Sequence, residues 1–413
     1  MTAAASASSS PSSPSSTSSK TDVTRPMTQD DRAPHGLTDR FLAFRDRKVS
    51  DPKFQRWAAE TPLVRQRAKA RARDLFDIVS GFVYSQVLLA TVRLKLCEIL
   101  ADGPISVPAL ANRLAMTEDA TRRLLDATTV LELTARRSND RFGLGELGAA
   151  LLGTPGLAAL IEHHAMFYKD LEDPVALLRG HAGETNLSRY WSYARSEDAA
   201  AESGDAVAEY SELMSTSQEM IADDILAAFP PTGVKHWMDL GGGEGVFGAA
   251  VARKGPHAKV TVFDLPAVAE RARERLKAAG LGDRVQAVGG DFRSGDLPKG
   301  VDVVSLVRVI HDHDDDVALE VLRAARQALV PGGRLVIAEQ MAGTRGAEPL
   351  GGAYFGFYLL AMGSGRPRTP EALRWMVERV GFRDVVLPRT RQPLLTRLLV
   401  ARAPDAPGQT ARS

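Results

Sequence analysis

Trp237-Met-Asp239-Leu-Gly-Gly-Gly-Glu244-Gly245-Val-Phe-Gly248 decides how this chain is read. A short apolar run ends in an acid, a glycine-rich turn follows, and an apolar helix start comes next. Such glycines let the backbone turn tightly and approach a ligand at a helix N-terminus. About twenty residues further on, a second apolar run ends in Asp264, where a carboxylate can accept from both hydroxyls of a ribose. From His236 to Ala403 short apolar runs alternate with amphipathic helices, the pattern of a doubly wound, mostly parallel α/β sheet. Strands are predicted over Val234–Leu240, Lys259–Phe263, Val285–Val288, Val301–Val307, Arg334–Ala338, Phe382–Leu387 and Leu395–Ala401, with helices separating the first five.

The glycines alone do not select a cofactor. Gly243-Glu-Gly245-Val-Phe-Gly248 also satisfies the dinucleotide fingerprint, so a nicotinamide-dependent oxidoreductase has to be weighed. Charge separates the two readings. A pyrophosphate would meet Asp239 and Glu244 at close range, and uncompensated like charges are unfavourable there. S-Adenosylmethionine carries a sulfonium and an ammonium, which an acid-lined loop attracts. Gly290-Asp291-Phe292 ends the third strand with an acid to accept from an adenine amino group and an aromatic to cover its ring.

The fourth strand leads into Leu306-Val-Arg308-Val-Ile-His311-Asp312-His313-Asp-Asp-Asp316. Residues at the carboxyl ends of such strands border the ligand crevice, which places His311 as a base. Methyl transfer to an alcohol needs oxygen, carbon and sulfur in line and the loss of a hydroxyl proton. A competing reading gives the His/Asp cluster a divalent metal; Asp314 to Asp316 equally cap the next helix, Val317–Leu329. Glu339, closing the fifth strand, is placed to orient the imidazole through its second nitrogen, or is an ordinary loop acid.

Upstream, Gly156 to Phe229 reads as helices. Adjacent His163 and His164 point to different sides of a helix and do not ligate one metal easily, so they belong to a pocket or core. Between Leu75 and Leu152 apolar positions recur at helical spacing. Thr117-Glu-Asp-Ala-Thr begins a capped helix and Arg136 to Leu144 suits a hairpin, which together resemble a winged helix. Acids at the start of that second helix would face phosphates, so packing and dimerisation are favoured over DNA binding. Phe41 to Asp74 is polar and basic, ending in Arg65-Gln-Arg-Ala-Lys-Ala-Arg-Ala-Arg73: a solvated helix face, or a patch that steers the chain to an anionic membrane surface. The first residues are Ser, Ala, Thr and Pro, a composition that does not bury enough apolar area to order itself.

The chain has 413 residues, 44% hydrophobic and 25% charged, with a net charge of +1. This is the balance of a globular protein and argues against obligate nucleic-acid binding. Cys97, the single cysteine, lies in an apolar helical run, which leaves no disulfide framework and no zinc site. No uninterrupted apolar stretch approaches the roughly 18–20 residues that span a bilayer, so a cytoplasmic location is expected.

Asp239-Leu-Gly-Gly-Gly-Glu-Gly245, Phe263-Asp-Leu265-Pro266, Gly290-Asp-Phe292, Val309-Ile-His-Asp312 and Pro331-Gly-Gly-Arg-Leu-Val-Ile337 together resemble the two-domain small-molecule O-methyltransferases, over about Leu75 to Ala403. The resemblance implies a Rossmann-like S-adenosylmethionine-dependent methyltransferase domain, preceded by a mainly helical winged-helix dimerisation domain, and a homodimer. It implies a catalytic base at His311 and cofactor contacts at Gly241, Asp264, Asp291, Phe292 and Arg308, with Arg308 replacing a common Lys; Asp239, Gly243 and Leu265 are further candidate cofactor residues of the same turn and strand ends. With composition read for the ends, the expected organisation is a tail over 1–37, a basic extension over 38–74, dimerisation over 75–155, a helical pocket region over 156–232, the methyltransferase domain over 233–403 and a tail over 404–413.

Glu162-His-His-Ala-Met-Phe-Tyr168 and Trp237 to Phe247 look most like the bacterial carotenoid branch. Those enzymes methylate the tertiary 1-hydroxyl of acyclic carotenoids such as hydroxyneurosporene and demethylspheroidene, which implies a hydrophobic substrate and peripheral contact with the inner membrane. Ala353-Tyr-Phe-Gly-Phe-Tyr-Leu-Leu-Ala-Met362 fits an oily substrate, and a core helix would look the same. A phenol or polyketide O-methyltransferase is the alternative within the fold, and a winged-helix regulator with a cofactor-sensing domain is the alternative outside it. Two positions depart from the family pattern: Pro367 stands where relatives carry a supporting Glu, and His313 where they carry Trp.

Overall fold

A computed structural model describes residues 36–154, 156–195, 218–219, 221–294 and 296–405. The tails expected over 1–37 and 404–413 lie outside the described residues apart from 36, 37, 404 and 405, as do 196–217 of the expected helical region. The chain clusters into two compact units, one ending at Phe82 and the other beginning at Val83.

In the first unit, α1 (Leu37–Val49) and α2 (Pro52–Glu60) precede the start of α3 (Pro62–Arg93). Pro52 and Pro62 open their helices, where a missing N–H leaves no bond unmade. Asp51 caps α2, its carboxylate accepting from the Lys53 N–H at 2.8 Å. One expectation is corrected here. Among the described residues α3 is long and apolar enough to cross a membrane by composition, with an 18-residue window of mean hydropathy 1.6. Counting only uninterrupted apolar residues missed it, because Asp77, Ser80 and Ser85 punctuate the run.

The second unit opens with α4 (Leu96–Ala101), β1 (Ile105–Ser106), α5 (Val107–Leu114), α6 (Glu118–Val130), β2 (Thr134–Arg137), β3 (Arg141–Leu144) and α7 (Glu146–Leu152). Thr117 caps α6 by accepting from the Ala120 N–H at 3.2 Å. The predicted hairpin is present as antiparallel β2 and β3, and β1 adds a third strand beside β3. Leu96, Leu100, Leu110, Leu125 and Phe142 form the core of this module. Cys97 is buried with them and its thiol is pushed up to about 11 by that burial, so it is an inert apolar filler. Three helices follow, α8 (Leu157–Asp170), α9 (Pro174–Leu178) and α10 (Asn186–Arg195).

The remainder is the sheet domain. Helix α11 (residues 221–228) leads to β4 (His236–Leu240), α12 (Val246–Lys254), β5 (Lys259–Asp264), α13 (Pro266–Ala278), β6 (Val285–Gly289), β7 (Val301–Val307), α14 (Asp315–Ala328) and β8 (Leu329–Glu339). Then come α15 (Phe355–Met362), α16 (Pro370–Arg379), β9 (Arg383–Val386) and β10 (Arg397–Arg402). The strand order is β6-β5-β4-β7-β8-β10-β9, and β10 alone runs against the others. β8 starts five residues before the predicted Arg334 because Leu329 pairs with Val301 ahead of a register shift, with Gly332 at φ +74 absorbing the bulge.

Both faces of the sheet are covered, and the side chains alternate as a pleat requires. Met238, Val304, Leu306 and Ile337 pack with Val321, Leu322 and Leu373 of α14 and α16. Trp237, Val303, Val307 and Val336 pack on the opposite side with Ile225, Phe247 and Leu276 of α11, α12 and α13. β4 pairs with β5 on one side and β7 on the other, so the winding direction reverses at β4. A crevice at the carboxyl ends of β4 and β7 is the position at which ligands bind in such sheets.

Candidate active site

That crevice holds a cleft of about 500 Å³. The turn after β4 contributes Gly241 and Gly243, the end of β5 contributes Asp264 and Leu265, β6 leads into Asp291 and Phe292, and β7 ends at Arg308. The turn needs its glycines. Gly241 has φ +71 and a Cβ there would lie 2.8 Å from Val309 Cγ2, while a Cβ on Gly242 would lie 2.6 Å from Asp239 Oδ2. The Gly241 N–H donates to the Phe263 carbonyl at 2.8 Å, and Asp264 accepts from the N–H groups of Gly243 at 2.7 Å and Leu265 at 2.8 Å. Asp264 therefore fastens the glycine turn to the start of α13 while its carboxylate borders the cleft. Arg308 sits at φ +59, a strained conformation for a non-glycine residue at a strand end.

Two electrostatic expectations are corrected. Asp239 does not line the cleft: it is 1% exposed and accepts from the Ser305 hydroxyl at 2.6 Å, which in turn accepts from the Trp237 indole at 2.9 Å. Burial raises its carboxyl to about 7, and its Oδ2 has no hydrogen-bond partner. Glu244 is not uncompensated, because Arg275 lies 3.3 Å and Arg271 3.7 Å from its carboxylate. The argument that repulsion alone excludes a pyrophosphate fails with it. Asp291 faces the cleft but is forked by Arg293 at 2.8 Å. Phe292 meets His313 edge to face, ring centres 5.4 Å apart, so His313 stands at one side of the ring site where Trp is usual.

His311 lies on a 3-10 turn (Ile310–Asp312) directly after β7. It is 5% exposed, and its imidazole stacks on Phe355 at 6.1 Å between ring centres. Its Nε2 is 3.3 Å from Asp312 Oδ1, while Nδ1 has no hydrogen-bond partner. Glu339 does not orient the ring. Its Oε2 accepts from the backbone N–H of His311 at 3.1 Å, and its Oε1 is unpartnered. Burial pushes this carboxyl up to about 8. Burial, then the guanidinium groups of Arg308 and Arg368, push the imidazole down to about 3, so it is neutral throughout the physiological range.

One residue that holds this turn escaped the sequence reading. Arg368, 4% exposed, donates to the carbonyls of Ile310 and His313, each at 2.7 Å, and to Asp315 Oδ1 at 2.7 and 3.0 Å. Its planar fork closes the turn from both ends. The Arg366 N–H donates to the His311 carbonyl at 2.9 Å, and a Cβ on Gly365 would fall 2.1 Å from that same oxygen. The His/Asp run does not converge as a metal site would. Asp314 accepts from the Gly365 N–H and Asp315 pairs with Arg368, and no three His, Cys, Asp or Glu side chains among the described residues are grouped so as to hold a metal ion.

Around Phe355 the environment is aromatic. His163 Nε2 and the Tyr358 hydroxyl share a hydrogen bond of 2.7 Å, and the Trp191 indole donates to the same hydroxyl at 3.0 Å. His164 Nε2 and the Tyr354 hydroxyl share another of 2.7 Å. Burial holds both histidines below the ordinary imidazole range, His163 at about 4. Both are satisfied, His164 in the wall of a cavity and His163 buried in the core.

The comparisons agree with this architecture. A family model for the O-methyltransferase domain matches residues 168–383, and one for the O-methyltransferase dimerisation domain matches 76–154. Demethylspheroidene O-methyltransferase of Cereibacter sphaeroides is 39% identical over 362 residues, covering 87% of this chain and 95% of that one. The protein of the same name from Rhodobacter capsulatus is 41% identical over 343 residues, covering 82% and 84%. The structure of the mitomycin 7-O-methyltransferase MmcR superposes with a TM-score of 0.67 at 26% identity, over 82% of this chain and 100% of that one.

Proposed function

Because this chain belongs to the S-adenosylmethionine-dependent O-methyltransferase family, we propose that it methylates the tertiary 1-hydroxyl of an acyclic carotenoid. The observation that carries the substrate is the likeness, over most of both chains, to two demethylspheroidene O-methyltransferases. The aromatic, desolvated surroundings of His311 suit an oily alcohol.

S-Adenosylmethionine supplies a methyl group already activated on a sulfonium, so the chain's task is to bind, align and manage one proton. The cradle fits that cofactor: Gly241 and Gly243 let the backbone approach, Asp264 takes the ribose hydroxyls, and Asp291 and Phe292 take the edge and face of the adenine. Leu265 and Arg308 flank them. Asp239 lies behind the turn, tied to β7 through Ser305. His311 accepts the hydroxyl of the substrate. Its lone pair is available because the ring is neutral, yet burial and two guanidinium groups disfavour the imidazolium. The proton therefore moves to the ring only as the C–O bond forms, with Asp312 beside Nε2 offsetting the new charge. Alignment contributes more than basicity, since a tertiary alcohol holds its proton far more tightly than a phenol.

The dimerisation module is read as a winged helix that joins two copies. The chain is placed in the cytoplasm, where the basic run before Leu75 and the exposed apolar residues Leu75, Phe76, Ile78, Val79 and Phe82 favour the inner membrane surface. The deciding experiment follows labelled methyl from S-adenosylmethionine into a detergent-dispersed acyclic 1-hydroxycarotenoid, with a catechol alongside. Label in the carotenoid supports the proposal, and label in the catechol alone overturns the substrate.

A further inference from the structure

The cleft beside the glycine turn, lined by Asp264, Asp291 and Arg308, is taken by the cofactor, so a long hydrocarbon attached to the reacting hydroxyl needs room elsewhere. A second cavity, of about 640 Å³, offers that room. It lies between the end of α3 together with α7 and the length of α8, walled by Leu88, Leu151, Leu157, Leu160, Ile161 and Phe167. No charged side chain lines it once His164 is held neutral by burial. Three of its polar groups are engaged: His164 and Tyr354 bond each other at 2.7 Å, and the Thr154 hydroxyl donates to the Ala150 carbonyl at 2.8 Å. A ligand there meets apolar surface and finds little to hydrogen-bond.

A chain of ring contacts links the cavity wall to the reacting centre. Tyr354 lines it, and the next residue, Phe355, stacks on the His311 imidazole; the two rings meet edge to face with centres 4.9 Å apart. They sit where a π-helical turn (Pro349–Tyr354) passes into α15. Cβ atoms on Gly352 and Gly356, which flank the pair, would meet nothing within 4 Å. Two ring contacts, Tyr354 on Phe355 and Phe355 on His311, thus separate the apolar cavity from the imidazole.

We infer that this cavity is a binding site for the hydrocarbon chain of the substrate, an uncharged acyclic polyene, and that α8 sets the enzyme's preference for long over short alcohols. The inference rests on the reaction proposed above. Each buried CH₂ contributes about 0.8 kcal/mol, roughly fourfold in binding, so chain length is a strong determinant there.

Leu160→Trp on α8 and Leu151→Trp on α7 fill the cavity from opposite walls. Two measurements separate the outcomes. Binding of a fluorescent conjugated polyene alcohol is followed without S-adenosylmethionine, and kcat/KM is compared for a long acyclic tertiary alcohol and a short terpenoid one. The expected result is polyene binding by the wild type, weakened about tenfold or more in both variants, with the long-over-short ratio falling in parallel while cofactor affinity is retained. No polyene binding by the wild type, or binding and ratio unchanged in the variants, overturns the inference. A change in oligomeric state with the ratio preserved also overturns it, by making the cavity a surface for a second copy. Polyene binding that the variants abolish, in an enzyme that methylates only phenols, overturns the proposed substrate and leaves the polyene site standing.

Discussion

The backbone N–H of His311 donates to the carboxylate of Glu339 at 3.1 Å, so the acid that ends β8 holds the turn carrying the imidazole and leaves the ring to Asp312. That carboxyl is raised by burial from 4.5 to about 8. Between those values the folded chain keeps a proton that the unfolded chain has released, so this group's contribution to stability is lost as pH rises through about 8. Glu339→Gln keeps an oxygen for the His311 N–H and removes the titration. Urea unfolding at about pH 5 and about pH 8 checks it: the variant is expected to lose less stability between them than the parent does. Asp239, raised from 3.8 to about 7, retains a smaller fall of the same sign.

His311 titrates in the opposite sense. Its folded value, about 3, lies below the ordinary 6.5, so the unfolded chain takes up a proton first and this contribution, full above 6.5, is lost as pH falls toward 3. For turnover, the ring is already deprotonated at neutral and mildly acid pH. The kcat/KM profile is therefore expected to show no acid limb centred near 6.5. His311→Ala is expected to bind S-adenosylmethionine as the parent does and to lose about 10²–10⁴ in kcat. Unchanged turnover would remove His311 from the chemistry.

The sheet was legible because its signals are local. Alternation along Met238–Leu240 and Val303–Val307, the glycines after Asp239 and the acid at Asp264 each act within a few residues. The placement of β10 between β8 and β9 depends on pairing across the domain and left no such signal. The acids misled for the same reason. Asp239 was visible as a strand-end carboxylate, but its burial is set by Ser305, which lies 66 positions away. The partners of Glu244 could have been found, since Arg271 and Arg275 are spaced i, i+4 on one face of α13. At Gly365-Arg-Pro367-Arg368 no local signal marks the last arginine, because the Ile310 and His313 carbonyls that it bonds lie 58 and 55 positions away.

Asp264 joins three elements at once, so its removal reaches beyond one ligand contact. Its carboxylate accepts from two backbone N–H groups, and hydrogen bonds to a charged acceptor are worth about 1.5–3 kcal/mol each. Asp264→Ala is expected to weaken S-adenosylmethionine binding about 10–100-fold by titration calorimetry. His311→Ala is the control with intact affinity. An unchanged dissociation constant in Asp264→Ala would contradict its assignment to the cofactor site.

Arg368 bonds main-chain carbonyls at both ends of the turn that carries His311, and its charge also disfavours the imidazolium. The two roles separate by substitution. Arg368→Lys keeps the charge but loses the planar fork that reaches Ile310 and His313 together, so the ring is expected to stay neutral while its position loosens. Arg368→Met loses both, and the imidazole is expected to titrate at a higher pH than in the parent by NMR. A displacement of about 1 Å at a reacting group costs about 10²-fold in rate, so kcat is expected to fall on that order in both variants with cofactor affinity retained. Asp315→Ala removes only the half-exposed partner of Arg368 and leaves the carbonyl bonds in place, so its loss should be much smaller. If Asp315→Ala and Arg368→Lys lose kcat equally, the ion pair and not the clamp on the turn is what matters.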